Sequence, residues 1–160
     1  MSDVLSHIVE FFANTNILTI MIAVSGWIFV YKDARALQVR SETWSIIKNL
    51  SDNLKEIETS TRKFWISSDA DSLDPMIFQS EITTLLGETE RWMGHLHKRV
   101  PIKEDYKPLI KAIFKHATLD SEQRKVKNLP KRNSANALVA SNIKQVKAIV
   151  DNTYTKKFYD

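Results

Sequence analysis

Three side chains on one predicted helix have the types and the spacing that acid–base or metal chemistry needs. Glu88, Arg91 and His95 stand three and four residues apart in the stretch GETERWMGHLHKR, which places them on one helical face. A metal site in a helical bundle normally repeats Glu-x-x-His on two helices, yet neither His95, His97 nor His116 follows an acid at that spacing. We therefore predict a surface pair between Glu88 and Arg91 and solvated histidines. An enzyme built on Glu88, Arg91 and His95 is the less favoured alternative.

Other common catalytic signatures are absent from the sequence. Gly26, Gly87 and Gly94 are too scattered to form a phosphate-binding loop, and there is no G-x-S-x-G and no H-E-x-x-H. Because the chain has no cysteine, a disulfide framework, a thiolate metal site and a cysteine nucleophile are all excluded. We predict no catalytic, cofactor-binding or metal-binding residues.

A basic stretch without acids runs from Gln123 to Val150. Five of its basic residues crowd around the Leu129-Pro130 dipeptide, and such a cluster suits an anionic partner, either the inner leaflet of a membrane or nucleic-acid phosphates. The stretch contains no aromatic residue on which bases could stack, so nucleic acid is possible but less favoured. A solvated loop without any partner is the simplest alternative. The five candidate contacts are Arg124, Lys125, Lys127, Lys131 and Arg132.

An uncharged run from Phe11 to Tyr31 indicates whether lipid or water surrounds the first part of the chain. A helix over this run would be about 32 Å long, which matches the hydrocarbon thickness of a bilayer. Asn14, Thr15 and Asn16 interrupt the run, so a span could begin anywhere from Phe11 to Ile17. The length therefore favours a membrane span without locating its start.

The flanks of the run separate a membrane span from two alternatives. A cleaved export signal needs basic residues before its apolar region, whereas Asp3 and Glu10 are the only charged residues there. A buried helix of a water-soluble protein normally keeps a polar stripe, and Ile17 to Tyr31 is apolar nearly all round. We predict a membrane anchor over residues 1–35, made of a short amphipathic segment and a transmembrane helix at 14–31.

The charges around the predicted span predict its orientation. All 23 Lys and Arg residues follow Tyr31, so the positive-inside rule places the N-terminus outside and residues 32–160 in the cytoplasm of a bacterial inner-membrane protein. Aromatic and basic residues at the end of a span lie at the lipid–water interface. The predicted interface residues are Trp27, Tyr31, Lys32 and Arg35.

Residues 36–160 have the pattern of an all-α domain. Apolar residues recur every three or four positions in four segments, which predicts an antiparallel bundle of about four amphipathic helices. Asp74 is a good N-cap for a helix that begins at Pro75, and Pro101 ends it. A third helix should run from Pro108 into the 120s. Leu129-Pro130 should interrupt the chain before Ser134 caps the last helix. The predicted apolar positions of the first segment are Val39, Thr43, Ile46, Leu50, Leu54, Ile57, Thr61 and Phe64.

These features together favour a binding protein over an enzyme. The expected function is a single-pass scaffold that tethers its cytoplasmic bundle, and a protein partner or a second copy of itself, to the membrane. The alternative is an oligomerising, pore-forming effector in which the bundle acts as the trigger. Thr19, Ser25 and Gly26 offer small or polar helix contacts for such a pore, but there is no G-x-x-x-G.

Overall fold

The computed structural model describes residues 6, 10, 16–66, 74–123 and 129–159. Within these residues all regular secondary structure is helical and there is no strand, which confirms the all-α prediction. Two compact units divide it, Met1–Glu42 and Thr43–Asp160, and the first helix contributes to both. The elements are α1 (Asn16–Ile66), α2 (Pro75–Arg99), α3 (Lys107–Thr118), a 3-10 turn (Ser121–Gln123) and α4 (Leu129–Phe158).

The first unit contains the stretch in which the membrane span was predicted. Every side chain of α1 from Thr19 to Val39 is exposed. Among the described residues, no helix has a stretch both long and apolar enough to cross a bilayer. The charge-free part of α1 runs only from Asn16 to Tyr31, whereas a span needs about 20 residues. The transmembrane helix predicted at 14–31 is therefore not supported, and most of the predicted amphipathic segment before it lies outside the described residues.

The second unit is a helical bundle, as the sequence predicts. Three contacts join α1 to α2. The Asn53 amide donates to the Leu85 carbonyl at 3.3 Å, and the Ser60 hydroxyl donates to the Glu81 carboxylate. The ring of Phe64 stacks on that of Phe78. Since higher numbers on α1 meet lower numbers on α2, these helices are antiparallel. The helix α3 packs against both α2 and α4.

The core of the bundle comes from the predicted apolar stripes. In the first stripe, all positions from Thr43 to Phe64 are buried, and Val39 alone is exposed. The positions from Thr43 to Phe64 are therefore covered by other residues of the same chain. Trp92 on α2 and Tyr154 on α4 are half-buried and pack against this core. The largest fully buried side chains are Trp65, Phe64, Leu50, Leu54, Ile57, Ile82, Met93, Leu96, Ile113, Ile143 and Val139.

The ends of α2 are where the sequence predicts them. Asp74 is the N-cap, and its Oδ1 accepts a hydrogen bond from the Met76 amide at 2.7 Å, which satisfies one of the unpaired donors of the first turn. Pro75 occupies the first turn, where its missing N–H costs nothing. The helix ends at Arg99, just before Pro101.

Two other helix ends differ from prediction. The helix α3 ends at Thr118 instead of continuing into the 120s, because the backbone leaves the helical conformation at Leu119 (ψ 124°). Asp120 follows in a left-handed conformation (φ 56°), which Asp tolerates better than most residues. The helix α4 already begins at Leu129, so Ser134 lies inside it and does not cap it. The reason is that Pro130 lies in the first turn, where proline favours a helix instead of interrupting one.

Candidate functional site

The most unusual surface of the described chain is the apolar segment of α1, residues 20–31. Its large side chains are strongly exposed, from 43 % for Ile28 to 71 % for Phe29. Successive helical residues are about 100° apart, so the consecutive exposed residues Trp27 to Tyr31 surround the whole helix. An apolar surface of this kind on every side differs from the single stripe of a helix that packs on one neighbour.

The polar groups of the apolar segment are compatible with apolar surroundings. The Ser25 hydroxyl donates to the Ile22 carbonyl of the preceding turn at 3.0 Å, so it needs no water as a partner. Gly26 has no atom within 4 Å of the position a side chain would take, which leaves this side of the helix open.

The four predicted interface residues follow one another along α1. The rings of Trp27 and Tyr31, one helical turn apart, stack with their centroids 5.7 Å apart and their planes at 21°. Lys32 and Arg35 come directly after this pair, and both are exposed. The structure therefore brings the two aromatic rings into contact, and a role of these four residues at a membrane interface stays a prediction.

The structure does not bring the side chains of Glu88, Arg91 and His95 into contact with one another. None of them makes a hydrogen bond or an ion pair with another in the part of the chain that the structure describes. Instead Trp92 contacts both flanking residues: the Arg91 guanidinium carbon lies 5.5 Å from its ring centroid, and the His95 ring centroid lies 5.8 Å away. The described residues also contain no group of three or more His, Asp or Glu side chains that could hold a metal ion.

Only part of the predicted basic cluster is described. Lys131 and Arg132 lie in the first turns of α4, exposed and half-buried respectively, and each already interacts with another group of the chain. Arg124, Lys125 and Lys127 lie outside the described residues. Contact of this cluster with an anionic partner stays a prediction.

A second group of lysines is assembled by the fold and was missed by sequence reasoning. A cleft of about 290 Å³, named the lysine cleft below, lies between the α2–α3 connection and the end of α4. Its polar lining consists of Lys103, Glu104, Asn152, Thr153, Lys156 and Lys157, above the apolar residues Val100 and Pro101. The sequence signal was the Lys156-Lys157 pair in the last turn of α4, but nothing in the sequence indicates that Lys103 joins it.

The pKa of Tyr106, which lies just before α3, is clearly shifted. Burial, and then the nearby carboxylates of Glu90 and Asp105, raise the pKa of its phenol, because all three disfavour the phenolate. Tyr106 packs against the core immediately before α3. The raised pKa of Tyr106 therefore results from its packing at the start of α3, and neither Glu88, Arg91 nor His95 contributes to it.

Comparison with known proteins gives no relative: no family model, no curated protein and no solved structure matches this chain.

Proposed function

We propose that this protein is a membrane-tethered helical scaffold: α1 holds the chain at a bilayer through its apolar segment, and the bundle binds a protein partner. The observation that carries the proposal is the exposure of large apolar side chains on all sides of α1 between Ile20 and Tyr31. A single partner helix would cover one stripe of this surface, whereas lipid would cover all of it.

The proposal relies on sequence beyond the described part of α1. The uncharged run starts at Phe11, and residues 11–15 lie outside the described residues. With them the run reaches the length of a bilayer's hydrocarbon layer. The stacked Trp27–Tyr31 pair, followed by Lys32 and Arg35, supports an interface at its C-terminal end. The basic residues after Tyr31 support an N-terminus outside and a cytoplasmic bundle.

A matched pair of arginine substitutions tests the tether. Met21 in the middle of the uncharged run and Leu37, on the same helix beyond that run, are 64 % and 65 % exposed, so Met21→Arg and Leu37→Arg add the same charge at nearly equal exposure. An arginine at the centre of a span costs about 3 kcal/mol, or roughly 100-fold in insertion. We expect the native chain and Leu37→Arg to float with neutral phosphatidylcholine vesicles after alkaline washing, and Met21→Arg to remain behind. Equal recovery of the two variants would contradict the proposal. Dye release from the vesicles would instead support the pore-forming alternative.

Topology requires a second measurement. Because the chain has no cysteine, Ser6→Cys and Ser141→Cys each introduce a single labelling site, and both positions are exposed. In intact cells, a membrane-impermeant maleimide should label Ser6→Cys directly and Ser141→Cys only after permeabilisation. Labelling of both positions from the same side would show that α1 does not cross the membrane.

The partner-binding half of the proposal is supported by apolar side chains that the bundle leaves exposed. Met76 and Ile77 are 75 % and 68 % exposed and share a shallow depression with Leu85 on α2. Adjacent exposed apolar residues are typical of protein interfaces. A photoreactive phenylalanine derivative at position 76 should give one discrete cross-linked species in cells, and the same group at the exposed Lys111 should not. A smear or no adduct from position 76 would contradict partner binding there.

A further inference from the structure

We propose that the lysine cleft binds a phosphate group, carried either by a soluble phosphorylated compound or by an anionic lipid. This inference goes beyond the proposed function and does not depend on it, since every lining residue belongs to the bundle. It rests on three ammonium groups that two distant parts of the chain bring to one cleft.

The charge of the cleft is unbalanced. Lys103, Lys156 and Lys157 face a single carboxylate, that of Glu104. All four side chains are exposed, and none has an ion pair or hydrogen bond within the described residues. Three lysines beside one acid keep a net positive charge, which attracts anions and is screened by salt.

The neutral lining adds one donor. The Asn152 amide is exposed and can donate two hydrogen bonds. The Thr153 hydroxyl already donates its hydrogen bond to the Ile149 carbonyl at 2.7 Å, so it lines the cleft without donating to a ligand. The donors of the cleft are therefore three ammonium groups and one amide, which suit the several acceptor oxygens of a phosphate.

Other ligand classes fit this lining poorly. A metal cation would meet one carboxylate against three positive charges, with no histidine or cysteine. Single-stranded nucleic acid normally needs an aromatic surface for base stacking, and none of the lining residues is aromatic. The volume of about 290 Å³ exceeds that of a single phosphate and leaves room for the group that carries it.

A titration with matched triple variants tests this site. The full-length chain in neutral detergent micelles is titrated with inorganic pyrophosphate in one arm and with micelles containing phosphatidic acid in the other. Binding is followed through the backbone amide resonances of residues 100, 102–104 and 152–157. The variant K103Q/K156Q/K157Q removes the cleft lysines. The control K111Q/K115Q/K144Q removes the same number of charges from exposed positions outside the cleft.

We expect the cleft resonances to shift in at least one arm, with affinity lowered at least tenfold by the cleft variant and less than twofold by the control. Shifts with pyrophosphate indicate that a phosphate group suffices, and shifts with phosphatidic acid alone assign the site to a lipid headgroup. Equal losses in the two variants, or no shift in either arm, would overturn the proposal. Because micelles replace the bilayer, failure here is independent of the vesicle test of α1.

Discussion

The indole N–H of Trp65, near the end of α1, donates to the backbone carbonyl of Ala117, near the end of α3, at 3.0 Å. Both residues are fully buried. The bond ties two helices that are separated by a complete helix in the chain, and it satisfies the one polar atom of the largest core side chain. The Trp65 side chain stabilises the bundle mainly by burying apolar surface, and the hydrogen bond determines how the ring is oriented.

Trp65→Phe should therefore destabilise the bundle less than Trp65→Ala. The phenyl ring keeps most of the apolar burial but leaves the Ala117 carbonyl without its partner, at a cost of about 1–3 kcal/mol. Alanine also leaves a cavity and should cost about 3–5 kcal/mol. Urea denaturation followed by circular dichroism measures both losses. No loss in Trp65→Phe would show that the hydrogen bond contributes nothing, and equal losses in the two variants would show that burial of the ring contributes nothing.

Asp74→Ala should lower the free energy of unfolding by about 1 kcal/mol, because the Met76 amide loses its acceptor at the start of α2. Asp74→Asn keeps an oxygen acceptor at the same position and serves as the control. We expect its stability in urea denaturation to remain within about 0.5 kcal/mol of the native chain. A loss as large as that of alanine would mean that the charge of Asp74, not its acceptor, matters.

His97→Ala should also destabilise the bundle, by about 1 kcal/mol. The Nδ1 atom of His97 accepts the backbone N–H of the buried residue Ile102 at 3.1 Å, immediately after α2 ends. His95, two residues earlier, makes no such bond and is exposed, so His95→Ala is a matched control that we expect to be neutral. Hydrogen exchange of the Ile102 amide should accelerate in His97→Ala alone.

Tyr106 should make stability depend on alkaline pH. Its folded pKa is raised above the ordinary value of about 10, chiefly by burial, so the unfolded chain loses this proton first as pH rises. The stability contribution of Tyr106 is complete below about pH 10 and is lost as pH rises through the folded pKa. The free energy of unfolding of the native chain should therefore fall relative to that of Tyr106→Phe as the pH rises above about 10. A constant difference would contradict the raised pKa.

Gly87→Ala should stabilise the protein by about 0.5–1 kcal/mol. Gly87 lies inside α2 with no atom within 4 Å of the place where a Cβ would stand, so alanine adds helix propensity without a clash. Thermal denaturation should show a higher midpoint. A lower midpoint would reveal a contact that this surface makes with another molecule.

Much of the bundle could be predicted from the sequence because the deciding signals are local. Every third or fourth residue is apolar along each helix, and Asp74-Pro75 and Pro101 mark the ends of α2 through backbone chemistry alone. The prediction failed at Pro130, because proline ends a helix in its interior but favours one in its first turn, and only the actual start of α4 separates the two cases. The side chains of Glu88, Arg91 and His95 are not brought together, because shared helical spacing alone does not bring side chains into contact; Trp92 contacts both Arg91 and His95.

Most helical residues and the apolar face of each helix can be read from the sequence, since both depend on neighbours within one or two turns. Only the packing of the helices shows which apolar face lies against which other helix. Periodicity cannot indicate that the Trp65 indole reaches Ala117, or that Lys103 joins Lys156 and Lys157 around one cleft. Those pairs are distant in the chain, and only the packing of whole helices brings them together.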